Sequence, residues 1–164
     1  MNNSLFDIKN TIDFLNRHKI FKKTIIFCDV FTTKLVTYGF YALLAHLLIS
    51  LDKRVLPVAL IPLFTFGITI FIRNKLNYPR PFQTLGFTPL VSHAKGNSCP
   101  SGHASSSAAI SMAFYYIYPP AGFFFIAVTI IICVTRVLAG VHYPKDVILG
   151  ALMGLCFGSG FLFL

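Results

Sequence analysis

Between two strongly apolar stretches the chain carries Arg136, His142 and Asp146. Ionisable side chains at the edge of a membrane-type segment are costly, so their presence there points to chemistry. An aspartate four residues beyond a histidine can hold the imidazole through one ring nitrogen and leave the other free to attack phosphorus. A guanidinium nearby suits a pair of phosphate oxygens. Two further clusters carry related groups. Arg73 and Arg80 lie in the segment RNKLNYPRP, where they can grip phosphate or serve as positive anchors snorkelling to the headgroups. Ser101, Gly102 and His103 follow Pro100 where a helix begins, so free backbone N–H groups can receive an anion; Ser101 can equally be a plain N-cap.

The elements that must position these groups are apolar helices. Hydrophobic residues make up 55% of the 164 positions, more than a soluble domain of this length needs for its core. Runs at residues 35–51, 55–72, 101–118, 121–135 and 143–164 read as membrane spans, and residues 25–30 can lengthen the first. Asp52, Lys53 and Arg54 form a polar turn, and Pro119 and Pro120 break the third run from the fourth. Pro144 suits the first turn of the last helix, on which Gly150, Gly154 and Gly158 make a small-residue packing stripe. Residues 73–100, with Pro79, Pro81, Pro89 and Pro100, are expected to form a folded polar loop.

Ahead of these runs, residues 1–23 form an amphipathic segment. Leu5, Ile8, Ile12 and Leu15 recur at helical spacing, which predicts a helix over residues 4–17 lying in the membrane interface. The segment lacks the continuous apolar core of a signal peptide, so insertion is expected through the chain's own spans. If each later run crosses once, the end of the second, the start of the third, the end of the fourth and the start of the fifth share one membrane face. The three polar clusters then converge.

A formal charge of +9 suits an anionic partner, and the apolar runs make that partner lipid or phosphate rather than nucleic acid. Cys28, Cys99, Cys133 and Cys156 show no metal-ligand spacing and read as packing residues. A zinc site built from His103, His142 and Asp146 is the poorer reading, because three arginines nearby would repel a cation.

Taken together, Arg73-x6-Arg80-Pro81, then Pro100-Ser101-Gly102-His103, then Thr135-Arg136-x5-His142-x3-Asp146 resemble the type 2 phosphatidic acid phosphatase superfamily. That family's pattern is K-x6-R-P, P-S-G-H and S-R-x5-H-x3-D, so Arg73 replaces a lysine and Thr135 a serine. The resemblance implies an all-α polytopic membrane bundle of five to six helices, one domain over residues 1–164, with the active site at one membrane face. It implies that Arg73, Arg80, Ser101, Gly102 and Arg136 bind a phosphoryl group, that His142 attacks it with Asp146 orienting the ring, and that His103 serves the leaving oxygen. No metal or other cofactor is implied. The expected activity is a membrane lipid-phosphate phosphatase working through a phosphohistidine, on undecaprenyl diphosphate or a phospholipid phosphate such as phosphatidylglycerol phosphate, with the site facing the extracytoplasmic side. The competing readings are a non-catalytic protein that binds or moves anionic lipid, and a soluble vanadate-dependent haloperoxidase-like relative, which the apolar spans disfavour.

Overall fold

The computed structural model describes residues 7–164, and these form helices without a strand. Ser4 and Leu5 of the expected first helix lie outside the described residues. Helix α1 spans Ile8–Arg17, and its N-cap Asp7 accepts a hydrogen bond from the Asn10 N–H at 3.1 Å. Its apolar stripe does not lie against lipid as expected. Ile8, Ile12 and Leu15 are buried against the protein itself, where α1 packs on the helices at Lys19–Ile49 and Pro119–Leu138. The reason is local: Gly140 has no side chain, and the Ile12 side chain and the Phe87 ring close over its Cα. Phe14 stays exposed on the flank of α1.

Helix α2 covers Lys19–Ile49 as one continuous element, so the apolar residues at 25–30 do belong to the first span. At 1.5 Å per residue it is about 46 Å long, enough to cross a hydrocarbon core of about 30 Å and project beyond it. The turn after it is self-neutralising, because Asp52 accepts from Arg54 Nε at 2.9 Å and Nη2 at 2.6 Å. These bonds hold the half-buried Asp52 carboxyl below its ordinary pKa. Helix α3, Val55–Leu76, runs back and stops at Asn77, whose φ of 42° is left-handed. The polar stretch beyond it contains a short helix that the proline count had hidden, α4 at Pro81–Leu85, with Pro81 in the first turn where its missing N–H costs nothing. Three long helices complete the bundle: α5 at Gly102–Ile117, α6 at Pro119–Leu138 and α7 at Pro144–Gly158, closed by a 3-10 turn at Ser159–Phe163.

Helices α2, α3 and α6, and α7 together with the 3-10 turn that closes it, are long and apolar enough to cross a membrane. Helix α5 is different. Its 16 residues reach only about 24 Å, and it is the hub against which α2, α3, α6 and α7 all pack. Being sheathed by protein, it can carry buried hydroxyls that bond across helices: Ser105 Oγ accepts from Thr69 of α3 at 3.0 Å, and Ser111 shares a 3.0 Å bond with Thr129 of α6. Large apolar side chains such as Leu63, Phe64, Phe123, Ile130, Ile148 and Leu152 cover the outside, the pattern expected where the solvent is lipid. The protein is a multi-pass membrane bundle.

Helices α5 and α7 approach closely along the glycine stripe. A Cβ on Gly150 would stand 2.5 Å from the Ser101 carbonyl oxygen, one on Gly154 would collide with the Ser105 carbonyl, and one on Gly158 would press on Met112. The glycine stripe therefore serves helix packing, and it fixes the depth at which α7 meets the start of α5.

Helices α2 and α6 are joined by charge. Asp29, inside the apolar α2, is buried with Oδ1 3.1 Å from Arg136 Nε and accepts from Thr135 Oγ1 at 3.1 Å. The Arg136 Nε–H does not point along that contact and makes no hydrogen bond, so the attraction is coulombic. Thr33 of α2 accepts from Arg136 Nη2 at 3.3 Å. Removing one partner of such a pair leaves the other charge buried, a loss of about 3–5 kcal/mol. Asp29→Ala is expected to lower the midpoint of unfolding in detergent sharply, and Asp29→Asn, which keeps the acceptor for Thr135, by less; equal midpoints in all three proteins would show that the pair does not hold the helices.

Candidate active site

Arg80 has a relative exposure of 1%, so every donor of its guanidinium must find a partner inside the protein. It finds backbone carbonyls. Nε donates to Gly96 O at 2.9 Å, Nη1 to Val141 O at 2.9 Å, and Nη2 to Asn97 O at 3.3 Å. The loop around residue 96 is shaped to offer them: Gly96 and Asn97 have φ of 70° and 54°, and Gln83 Oε1 accepts from the Gly96 N–H at 2.7 Å. One side chain thereby ties the loop before α5 to the turn before α7.

The same Nη1 stands 3.3 Å from His142 Nε2. A guanidinium can only donate, so a bond here requires Nε2 to be the bare nitrogen and puts the ring proton on Nδ1. Nδ1 faces Asp146 Oδ2 at 3.8 Å, close enough for attraction but too long for a hydrogen bond. The carboxylate is itself held: Oδ2 accepts from Ser98 Oγ at 2.5 Å and from the Tyr143 N–H at 3.0 Å, while Oδ1 is buried without a partner. Burial holds His142 below the ordinary imidazole pKa; Asp146 pulls the other way, and the Arg80 and Arg73 charges add to burial.

Arg73, at the end of α3, donates from Nε to Asn97 O at 3.0 Å, so both arginines of the first motif rest on one carbonyl. Its Nη1 lies where a Cβ on Gly102 would be only 2.7 Å away. Gly102 therefore makes room for the arginine, a reason the sequence reading did not contain. Ser101 stands at the N-cap position of α5 but its side chain makes no capping bond: its N–H goes to Asp146 O at 2.8 Å and its buried Oγ is unpartnered. Arg73, Gly102 and His103 line a cleft of about 160 Å³ that continues between α2 and α5 past Thr33, Val36 and Thr37.

All eight residues singled out from the sequence thus gather at one end of the bundle. Three more belong with them. Asp29 braces Arg136 and was visible in the sequence only as an acidic residue interrupting an apolar run, which is itself a signal of a buried partner. Ser98 donates to Asp146, and His93 places its ring 6.0 Å from that of His142 and 6.3 Å from that of His103. Neither has a local signature, since both sit on an irregular loop.

Comparison with known proteins gives the same set of motifs a lineage. The PAP2 superfamily matches residues 35–163. The chain is 44% identical over 89 residues to lipid A 1-phosphatase of Rhizobium etli, a stretch that is 54% of this chain and 37% of that protein. It thus spans little more than a third of that relative's length. Undecaprenyl-diphosphatase BcrC of Bacillus subtilis is 31% identical over 133 residues, covering 75% of this chain and 68% of that one. In three dimensions the crystal structure of Aquifex aeolicus LpxE superposes with a TM-score of 0.70 at 28% identity, over 83% of this chain and 86% of that one. Because the family match runs from α2 to the closing 3-10 turn and takes in every motif gathered at the site, the chain belongs to the PAP2 superfamily.

Proposed function

We propose that the protein is a membrane phosphatase that hydrolyses a lipid phosphate through a phosphohistidine at His142. The observation that carries this reading is the 3.3 Å approach of Arg80 Nη1 to His142 Nε2, a contact that the ring accepts only in the tautomer protonated at Nδ1, the form in which Nε2 can act as nucleophile. Arg73 and Arg136 bind the phosphoryl oxygens, with Arg80 adding the Nη N–H groups that its three carbonyl bonds leave over, helped by Ser101 Oγ and the Gly102 backbone at the start of α5. Nε2 forms a bond to phosphorus as the bond to the lipid oxygen breaks, and His103 gives that oxygen its proton. Asp146 stabilises the cationic ring through the Nδ1 proton. His103 then takes a proton from water, the hydroxide displaces phosphorus from Nε2, and orthophosphate leaves. No metal is required, since the arginines supply the positive charge.

The substrate's other end follows from the cleft. Beyond the site it meets a groove of about 560 Å³ between α2 and α3, lined by Thr37, Phe40, Tyr41, Leu44, Leu63 and Phe66. An apolar groove opening sideways from a phosphate site favours a long-tailed substrate, undecaprenyl diphosphate or a phospholipid phosphate such as phosphatidylglycerol phosphate. The relatives' names support the same class. The site faces the extracytoplasmic side in this reading, which sets Lys53 and Arg54, in the turn between α2 and α3, on the cytoplasmic face.

Purified protein is expected to release phosphate from a panel of lipid monophosphates and diphosphates with chelator present. His142→Ala should lose at least about 10³-fold of that rate while still binding vesicles. Unchanged release in His142→Ala overturns the mechanism; no release by the intact protein leaves lipid binding as the function. In the pH profile of kcat/KM, protonation of His142 in the free enzyme removes the nucleophile. Its pKa lies below the ordinary 6.5, so the acid limb should fall below pH 6.5; a midpoint above that value contradicts the assignment. For orientation, a membrane-impermeant maleimide added to intact cells should label Lys95→Cys on the site loop and not Lys53→Cys, and the reverse pattern would place the site inside.

A further inference from the structure

We infer that His93, on the loop between α4 and α5, is a third imidazole that touches the substrate, donating a ring N–H to the bound phosphate beside His142 and His103. The inference rests on the phosphatase reading for what the phosphate belongs to, but its own support is geometric. The His93 ring is 6.0 Å from the His142 ring and 6.3 Å from the His103 ring, nearly perpendicular to each at 77° and 78°. No hydrogen bond joins the three rings. A phosphate whose separate oxygens each accept at about 2.9 Å spans such a gap, so one anion can contact His93 together with either neighbour.

The ring is also held in place without being used. Its loop is pinned on one flank by the Leu90 N–H on the Ala139 carbonyl at 3.0 Å. On the other flank the Gly96 and Asn97 carbonyls carry the guanidinium groups of Arg80 and Arg73. Between those anchors, neither ring nitrogen of His93 makes a hydrogen bond among the described residues, and neither is a sealed-off buried atom. A histidine kept for structure spends its N–H on a protein acceptor. His93 leaves both ring nitrogens uncommitted within about 6 Å of the other two rings.

Its charge state fits the role. Desolvation, with the Arg80, His142, Arg136 and Arg73 charges facing it, lowers its pKa to about 4. At neutral pH it is therefore a neutral donor, which contributes a directed N–H without adding a further cation to the site in the empty state.

The test is isothermal titration of the full chain in detergent with inorganic phosphate. His93→Ala and His93→Phe should each bind orthophosphate about tenfold more weakly than the wild type, while His93→Gln, which retains an N–H donor, recovers most of the affinity. With lipid phosphate, KM should rise in the same order. Affinities of the Ala and Phe variants within twofold of wild type overturn the assignment. Should His93→Ala fail to fold, the Gln and Phe pair decides: equal binding by the two overturns it. A wild type that binds orthophosphate in a His93-dependent way but hydrolyses no lipid phosphate sinks the phosphatase reading and leaves the His93 contact standing.

Discussion

Burying the Arg80 guanidinium is the constraint on which the site end of this molecule depends. A permanent cation at 1% exposure must have its donors met, and here backbone carbonyls from two distant loops meet most of them. Those carbonyls can point inward only if Gly96 and Asn97 adopt left-handed backbone and the chain after α6 turns at Gly140. Satisfying one side chain therefore dictates the path of the loop that carries His93 and Ser98 and of the turn that carries His142. Arg73 adds a second tie to the same Asn97 carbonyl.

The remaining charges are arranged by the same economy. Each buried carboxylate at this end answers a particular cation or dipole: Asp29 braces Arg136 across α2 and α6, and Asp146 faces the His142 ring while accepting from Ser98 and Tyr143. Three guanidinium groups against two carboxylates leave a positive surplus at this end of the bundle. The unpartnered Ser101 Oγ, His142 Nδ1 and Asp146 Oδ1 lie in that same region. These atoms cluster where the guanidinium charges are densest.

Packing and chemistry are coupled through α5. It is too short to serve as a free span, and its value is positional: its N-terminus carries Ser101, Gly102 and His103, and its flank accepts the glycine face of α7. The close approach at Gly150 brings the Ser101 N–H onto the Asp146 carbonyl, so the depth of helix packing sets the distance between two of the motifs. A bulkier stripe on α7 would move Asp146 relative to the start of α5 even though no glycine of that stripe touches a substrate.

Much was legible in the chain by itself, for identifiable reasons. Long apolar runs can be satisfied only as membrane helices, so the five long elements and their boundaries at Asp52, Pro119 and Pro144 follow from hydropathy and backbone chemistry. Arg73, Arg80, Ser101, Gly102, His103, Arg136, His142 and Asp146 stand out by type and spacing alone, and the fold brings them together at one end of the bundle. Tertiary structure decided what no local pattern carries. It turned α1 onto the protein instead of the lipid, because the bare Cα of Gly140 made a seat for Ile12. It paired Asp29 with a residue more than a hundred positions away, made Gly102 a berth for Arg73, and drew His93 between two other imidazoles. Each is a contact between segments remote in sequence, set by how buried charges find partners and how closely helices approach, and those are properties of the packed bundle.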